Sequence, residues 1–251
     1  MQKNKTKKLG LLGKNISYSF SQNYFSLKFK KEEINTVYSY ENFDIPHIDE
    51  FKAVLKNNPE LIGLNVTIPY KESVIPFLDE LSENAKQIGA VNTIKILPNG
   101  KLYGDNTDYF GFSKSLKPLL KKHHNKALIL GTGGAAKAIV FGLKQLNIES
   151  VFVSRQAKEN CISYADITQE IISEFPIIIN CTPLGTFPNI EEFPEIPYHY
   201  LTKKNIAFDL IYNPEKTEFL KQAESNNALI KNGYDMLVFQ AEKSWEIWNS
   251  I

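Results

Sequence analysis

The stretch GLNVTIPYKE, Gly63 to Glu72, closes a short apolar run with Pro69 and sets Thr67 and Lys71 at its mouth. A threonine and a lysine at the mouth of a buried strand are polar groups set where a ligand would meet them. Further polar stretches follow an apolar strand or turn in the same way: Ser17 and Ser19 in NISYSFS, Asn92 and Thr93 in IGAVNTI, Asn106 and Asp108 in GDNTDYFGF. Ligands of α/β sheets gather at the carboxyl ends of the strands, where loops present such groups. Each stretch also has a structural explanation by itself. Ser17 and Ser19 could cap a helix, Asp108 could cap one beginning near Tyr109, Asn92 could form an Asx turn, and Lys71 could be a solvated side chain. Taken together they favour a site for a small, hydroxyl-rich molecule.

A second constellation lies in LILGTGGAAKA, where Gly131, Thr132, Gly133, Gly134 and Ala135 stand between an apolar run and a helical pattern. Gly131 would make the tight turn and Gly133 would let the backbone approach a pyrophosphate. Ala136 would allow close helix–strand packing. Exposed N–H groups at the helix start would hold the phosphate charge. The next strand ends in Ser154 and Arg155 where an NAD site would place an acid, and an arginine suits the 2′-phosphate of NADP. The alternative is an arginine facing solvent at a strand end. Arg155 is the single arginine among 29 basic residues.

These motifs require elements that position them, and the pattern supplies them. Strand-like and helix-like pieces alternate through the first hundred residues: LGLLG, a helix in SQNYFSLKFKKE, a strand in TVYSYENF, and a helix in IDEFKAVLKNNPE with Phe51, Val54 and Leu55 on one side. The strand LIGLNVTI, one helix through SVIPFLDELSENAKQIG and a hairpin turning at PNG follow. From about Asn106 to Phe112 the character changes to a helix in FGFSKSLKPLL. Beyond it come continuous apolar runs, KALIL, SVFVS, FPIIIN and NIAFD, of the kind that parallel sheets bury on both faces. The end, YDMLVFQAEKSWEIWNSI, reads as an amphipathic helix. The expected fold class is α/β with two domains, the second a doubly wound nucleotide-binding domain.

Composition sets the outer limits. Hydrophobic and charged contents of 43% and 23% are those of an ordinary globular protein, and a formal charge of +1 offers no field to attract nucleic acid or membrane. The basic opening MQKNKTKK has no apolar core behind it and reads as a solvated start. No apolar run nears the roughly 20 residues that span a bilayer. Cys161 and Cys181 read as buried thiols of a reducing cytoplasm, and the histidines form no metal-type set, so no metal is expected.

The motifs GLLGKNISYSFS, GLNVTIPYKE, AKQIGAVNT, GDNTDYFGF, LGTGGAAKA, INCTPLGT, DLIYNPEKTEFL and GYDMLVFQAEKSWEIW resemble, in order and over nearly the whole chain, those of the shikimate dehydrogenase family. The resemblance implies reversible NADPH-dependent reduction of 3-dehydroshikimate to shikimate in aromatic amino-acid biosynthesis, in the cytoplasm, by a monomer or homodimer. It implies a substrate-binding α/β domain over 1–106, completed by the C-terminal helix 235–251, and a Rossmann-type NADP-binding domain over 107–234. Matched motif by motif, Lys71 and Asp108 are the catalytic pair. Ser17 and Ser19 hold the substrate carboxylate, Thr67, Asn92 and Gln240 contact ring hydroxyls, and Tyr212 lines the cleft. Gly233 lies near the nicotinamide, beside Gly131, Thr132, Gly133, Gly134, Ala135, Ser154 and Arg155 as cofactor residues. Met236 and Leu237 read as core. The chain departs from the family's usual wording at Tyr18, where histidine is frequent, at Thr132, at SRQ and at Thr186, without losing a catalytic group. The competing readings are a quinate/shikimate dehydrogenase using NAD or NADP, a non-catalytic nucleotide-binding module, and a two-domain dehydrogenase of a folate-type substrate.

Overall fold

The computed structural model describes residues 6–17, 19–156 and 161–250; Tyr18 and the basic residues ahead of Thr6 lie outside the described residues. The chain divides into two compact units, Met1–Thr107 with Ala241–Ile251, and Asp108–Gln240.

The first unit runs β1 (Lys7–Gly13), α1 (Phe20–Lys31), β2 (Tyr38–Asp44), α2 (Phe51–Asn57), β3 (Leu61–Val66), α3 (Tyr70–Ser73), β4 (Glu80–Leu81), α4 (Glu83–Ile88), β5 (Thr93–Ile96) and β6 (Leu102–Asp105). Its strands lie in the order β2-β1-β3-β5-β6-β4. β1 pairs in parallel with β2 and β3, whereas β5 and β6 form the antiparallel hairpin expected around PNG. Gly100 sits in that turn with φ +83, a conformation glycine takes without cost. The single helix expected through SVIPFLDELSENAKQIG is broken. Pro76 sits in a short 3-10 turn at Ile75–Phe77, and β4 then pairs with β6. A new helix starts at Ser82, whose hydroxyl accepts from the Ala85 N–H at 3.0 Å.

The second unit runs α5 (Asp108–Leu116), β7 (Lys126–Leu130), α6 (Gly134–Gln145), β8 (Glu149–Ser154), β9 (Cys161–Ser163), α7 (Gln169–Glu174), β10 (Ile177–Asn180), β11 (Ile206–Asp209), α8 (Glu218–Ser225), β12 (Leu229–Lys231) and α9 (Tyr234–Asn249), whose last turns belong to the first unit. All pairings are parallel, in the order β12-β11-β10-β7-β8-β9. Numbered within this unit, that is the 3-2-1-4-5-6 order of the doubly wound dinucleotide fold. The apolar runs alternate between two cores: Leu128, Leu130 and Ile178 face one layer, and Ala127, Ile129, Ile177 and Ile179 the other. The short strands β4, β9 and β12 and the helices α7 and α8 have no counterpart in the sequence reading; two- or three-residue strands carry no period to detect, and the helices span only six and eight residues.

The last helix is divided. Met236 packs with Ile129 and Phe208 in the second unit, while Ala241 and Trp248 pack with Leu9, Leu11 and Phe25 in the first. The division of the chain therefore falls near Gln240 and not at 234. Trp248 lies so close on β3 that a Cβ on Gly63 would stand 2.3 Å from its indole. Both cysteines are half-buried, not buried as expected, and free.

One buried histidine braces the second unit. The Lys121 N–H donates to His124 Nδ1 at 2.9 Å, and His124 Nε2 faces the Lys204 carbonyl at 2.9 Å, which fixes a neutral ring protonated on Nε2. Burial, reinforced by His123 and Lys121 and opposed by the Lys204 carbonyl, lowers its pKa from 6.5. A lowered folded-state pKa gives stability that is present above 6.5 and lost as pH falls through the folded value. The urea midpoint should therefore decline below pH 6.5, and H124Q should flatten that decline; an unchanged pH profile in H124Q would refute the assignment.

Candidate active site

In the first unit the expected residues collect at the carboxyl ends of β1 and β3. The segment after β1 is pinned by Asp44, which accepts from the N–H groups of Asn15 and Ile16 at 2.9 and 3.1 Å, and by the Asn42 amide donating to the Ile16 carbonyl at 3.2 Å. Ser17 is exposed on it. Ser19 is half-buried and caps α1, accepting from the Ser21 N–H at 3.2 Å. The structural explanation of Ser19 is thus realised, although a capping hydroxyl still has a proton to donate. Thr67 stands beside this segment: a Cβ on Gly13 would lie 2.6 Å from both Thr67 Cγ2 and Ile16 Cγ2, so only glycine allows the approach.

Lys71 sits on α3, half-buried. Tyr70 anchors the turn by donating to the Ile45 carbonyl at 2.6 Å, and the Val91 N–H donates to the Lys71 carbonyl at 2.7 Å. The neighbouring Asn92 carbonyl accepts from the Val66 N–H at 2.8 Å. Backbone bonds therefore fix Lys71 and Asn92 to each other and to the end of β3.

Beneath these residues lies a polar network with no counterpart in the sequence reading. Asn65, buried inside β3, accepts from the Tyr40 hydroxyl at 2.9 Å and donates to Ser244 Oγ at 2.9 Å and to the Asn92 carbonyl at 3.3 Å. Ser244 Oγ also lies 2.7 Å from Thr93 Oγ1 and 3.2 Å from Thr107 Oγ1. The Asn92 side chain bonds Thr107 twice, its Oδ1 accepting from the Thr107 N–H at 2.7 Å and its Nδ2 donating to the hydroxyl at 3.0 Å. Asn92 is thus a buried brace that holds the residue preceding Asp108, and Asn106 is tied to the Ala90 carbonyl at 3.0 Å. Burial drives the Tyr40 phenol strongly up, keeping it a neutral donor. An asparagine inside the apolar run GLNVTI was the available signal, since a buried amide demands partners.

The second unit carries the remaining candidates. Gly131 has φ +96, and its N–H donates to the Val153 carbonyl at 2.9 Å. A Cβ there would stand 2.9 Å from the Thr182 methyl, so both conformation and space require glycine. At Gly133, which caps α6, an added Cβ would meet no protein atom within 4 Å. That open cradle over the exposed Thr132, Gly133 and Gly134, with Ala135 behind them, fits a pyrophosphate. No acidic side chain stands in the first turn of α6 to oppose it. Ala136 is buried against the sheet, as the fingerprint requires.

Ser154 ends β8 with its hydroxyl donating to the Gln156 carbonyl at 2.5 Å, and Cys161 Sγ lies 3.2 Å from Ser154 Oγ. Arg155 is exposed beside it. Gly233, between β12 and α9, has its N–H on the Ile211 carbonyl at 3.0 Å, and a Cβ would stand 2.1 Å from the Leu210 carbonyl oxygen. It therefore abuts the segment carrying the half-buried Tyr212. Asp108 is buried as the first residue of α5. Gln240, also buried, donates to the Leu237 carbonyl at 2.9 Å.

A parallel sheet in this order, with a glycine turn leading from its first strand into a helix, defines a Rossmann-type dinucleotide-binding protein, here with a second α/β unit. The family model for the shikimate dehydrogenase substrate binding domain matches residues 11–94. An NADP(+) shikimate dehydrogenase of Caldicellulosiruptor bescii is 38% identical over 98% of this chain and 90% of its own. A shikimate dehydrogenase crystallised with NADP+ superposes with a TM-score of 0.87 at 32% identity, covering 98% of this chain and 91% of that one. The Thermus thermophilus enzyme in complex with NADP(H) and shikimate gives 0.84 at 28%, covering 97% and 94%. The chain belongs to the shikimate dehydrogenase family.

Ser244→Ala removes one oxygen shared by Asn65, Thr93 and Thr107. It should destabilise the protein by about 1–3 kcal/mol, the usual cost of leaving buried polar groups unmatched. A urea midpoint equal to that of the parent would show that the network carries no such load.

Proposed function

We propose that this protein is an NADP-dependent oxidoreductase that reversibly reduces 3-dehydroshikimate to shikimate in aromatic amino-acid biosynthesis, in the cytoplasm. The observation that carries the reading is the open glycine cradle at Gly133 in a chain 38% identical, over 98% of its length, to an NADP(+) shikimate dehydrogenase. Bound NADPH supplies the hydride.

The rest is done by this chain's own groups. Ser17 and Ser19 donate hydroxyl protons to the substrate carboxylate, since no arginine exists in this unit to do so. Thr67, Asn92 and Gln240 meet the ring hydroxyls, and Tyr212 lines the site. The Lys71 ammonium gives its proton to the oxygen that becomes negative as the ring carbonyl is reduced; in oxidation the neutral amine takes that proton back. Asp108 serves with Lys71 as the catalytic pair and accepts from a ring hydroxyl. Gly131 makes the tight turn, Gly133, Gly134 and Ala135 present backbone N–H groups to the pyrophosphate beside Thr132, Gly233 admits the nicotinamide, and Arg155 pairs with the 2′-phosphate beside Ser154.

Initial rates of shikimate and quinate oxidation with NADP and with NAD test the assignment. Shikimate with NADP should be preferred, and Lys71→Ala should lower kcat by roughly a hundredfold or more while NADPH still binds. Rates with quinate or NAD comparable to these would reassign the protein to the broader-specificity enzyme, and binding without turnover to a non-catalytic module.

Arg155→Ala isolates the cofactor preference. Loss of one charge-assisted phosphate contact should raise KM for NADP by about ten- to a hundredfold and leave KM for NAD unchanged. Equal effects on both cofactors would mean that Arg155 does not touch the 2′-phosphate.

A further inference from the structure

At the carboxyl end of β11, Asp209 is fully buried. Its carboxylate accepts from the Thr217 hydroxyl at 2.6 Å, the Asn180 amide at 3.1 Å and the Ile211 N–H at 3.0 Å. A buried carboxylate is costly unless it is hydrogen-bonded, and losing a partner leaves it uncompensated. Burial pushes its pKa up to about 6, so at neutral pH it is mostly ionised and accepts on both oxygens. The titratable groups facing it are the Cys181 thiol and the Tyr198 phenol, both raised by burial and by its charge.

Its partners run to the loops that leave β10 and β11 at this end of the sheet. Asn180, which Asp209 orients, accepts from the N–H and hydroxyl of Thr182 at 3.0 and 2.6 Å, and the Thr182 hydroxyl accepts from the Leu184 N–H at 3.3 Å. The methyl of Thr182 is the atom packed closest under Gly131, the first glycine of the cofactor turn. On the other side Ile211 precedes Tyr212, and its carbonyl holds the N–H of Gly233. Thr217 caps α8, closing the segment that carries Tyr212.

We propose that Asp209 is a positioning residue for the dinucleotide: its carboxylate sets the floor of the glycine turn, through Asn180 and Thr182, together with the Leu210–Tyr212 segment against Gly233. This rests on the cofactor role given to that turn above, and it adds a residue that touches neither cofactor nor substrate.

Asp209→Asn keeps the volume but removes the charge and puts an NH2 donor where one carboxylate oxygen accepted, so that the Thr217 hydroxyl has to turn from donor to acceptor. KM for NADP should rise roughly tenfold, with the NADPH dissociation constant from fluorescence titration moving in parallel and KM for shikimate staying within about twofold. Thr217→Val should do the same and Thr217→Ser should restore the parent values, which keeps the test open if Asp209→Asn does not fold. A purely structural role predicts a lower active fraction, with kcat reduced and every KM and dissociation constant unchanged; that pattern would overturn the proposal. Parent protein that binds NADPH but oxidises no shikimate would refute the reaction proposed above, and the binding titration alone would then decide the role of Asp209.

Discussion

A polar side chain buried in a β-strand has to find its hydrogen bonds inside the protein, and in the first unit Asn65 does so across widely separated parts of the chain. Its partners are Tyr40 from β2, Asn92 after α4 and Ser244 from α9. Through Thr93 and Thr107 the same network reaches the hairpin and the residue before Asp108. Apolar packing alone would let the last helix slide or rotate on the sheet at little cost. The hydroxyl of Ser244 allows one register, and Trp248, lying on Gly63 and donating to the Ile94 carbonyl at 2.9 Å, allows one depth.

The second unit meets a related constraint with charge. Its sheet is apolar on both faces, so polar chemistry is confined to the strand ends, where the chain leaves the core. Asn180 and Asp209 occupy those ends on adjacent parallel strands, in register with one another. Pairing them satisfies both and fixes the outgoing loops in a single arrangement. The glycine turn on the neighbouring strand β7 is shaped from below by Thr182 and from within by the positive φ of Gly131. The two units thus share a logic: buried polar groups behind the site hold the groups in front of it.

The motifs proposed for the site were legible in the sequence, because they are contiguous and made of residue types whose chemistry is local. GTGGAA after an apolar run announces its turn by composition, and the structure adds that Gly131 is required for conformation, while the space beside Gly133 is open. The supporting residues were not legible. Ser244 follows Gln240 by one helical turn and looks like surface polarity until the fold buries it. Asp209 looks like the polar end of a strand. The break in the helix after Ser73 has its signal in Pro76, whereas β4 exists only because β6 lies beside it.

The sequence by itself determined the α/β class, the continuous apolar runs that make a parallel sheet, and the glycine turn. These are properties of short windows, in which periodicity and residue type act directly on the backbone. Only the tertiary structure decided the strand order, the division of α9 between the units, the bracing of Asn92 by Thr107 and Ser244, and the tie from Asp209 to the glycine turn. Each of those joins residues far apart in the chain, and a bond between such residues is specified by where the packed elements place them.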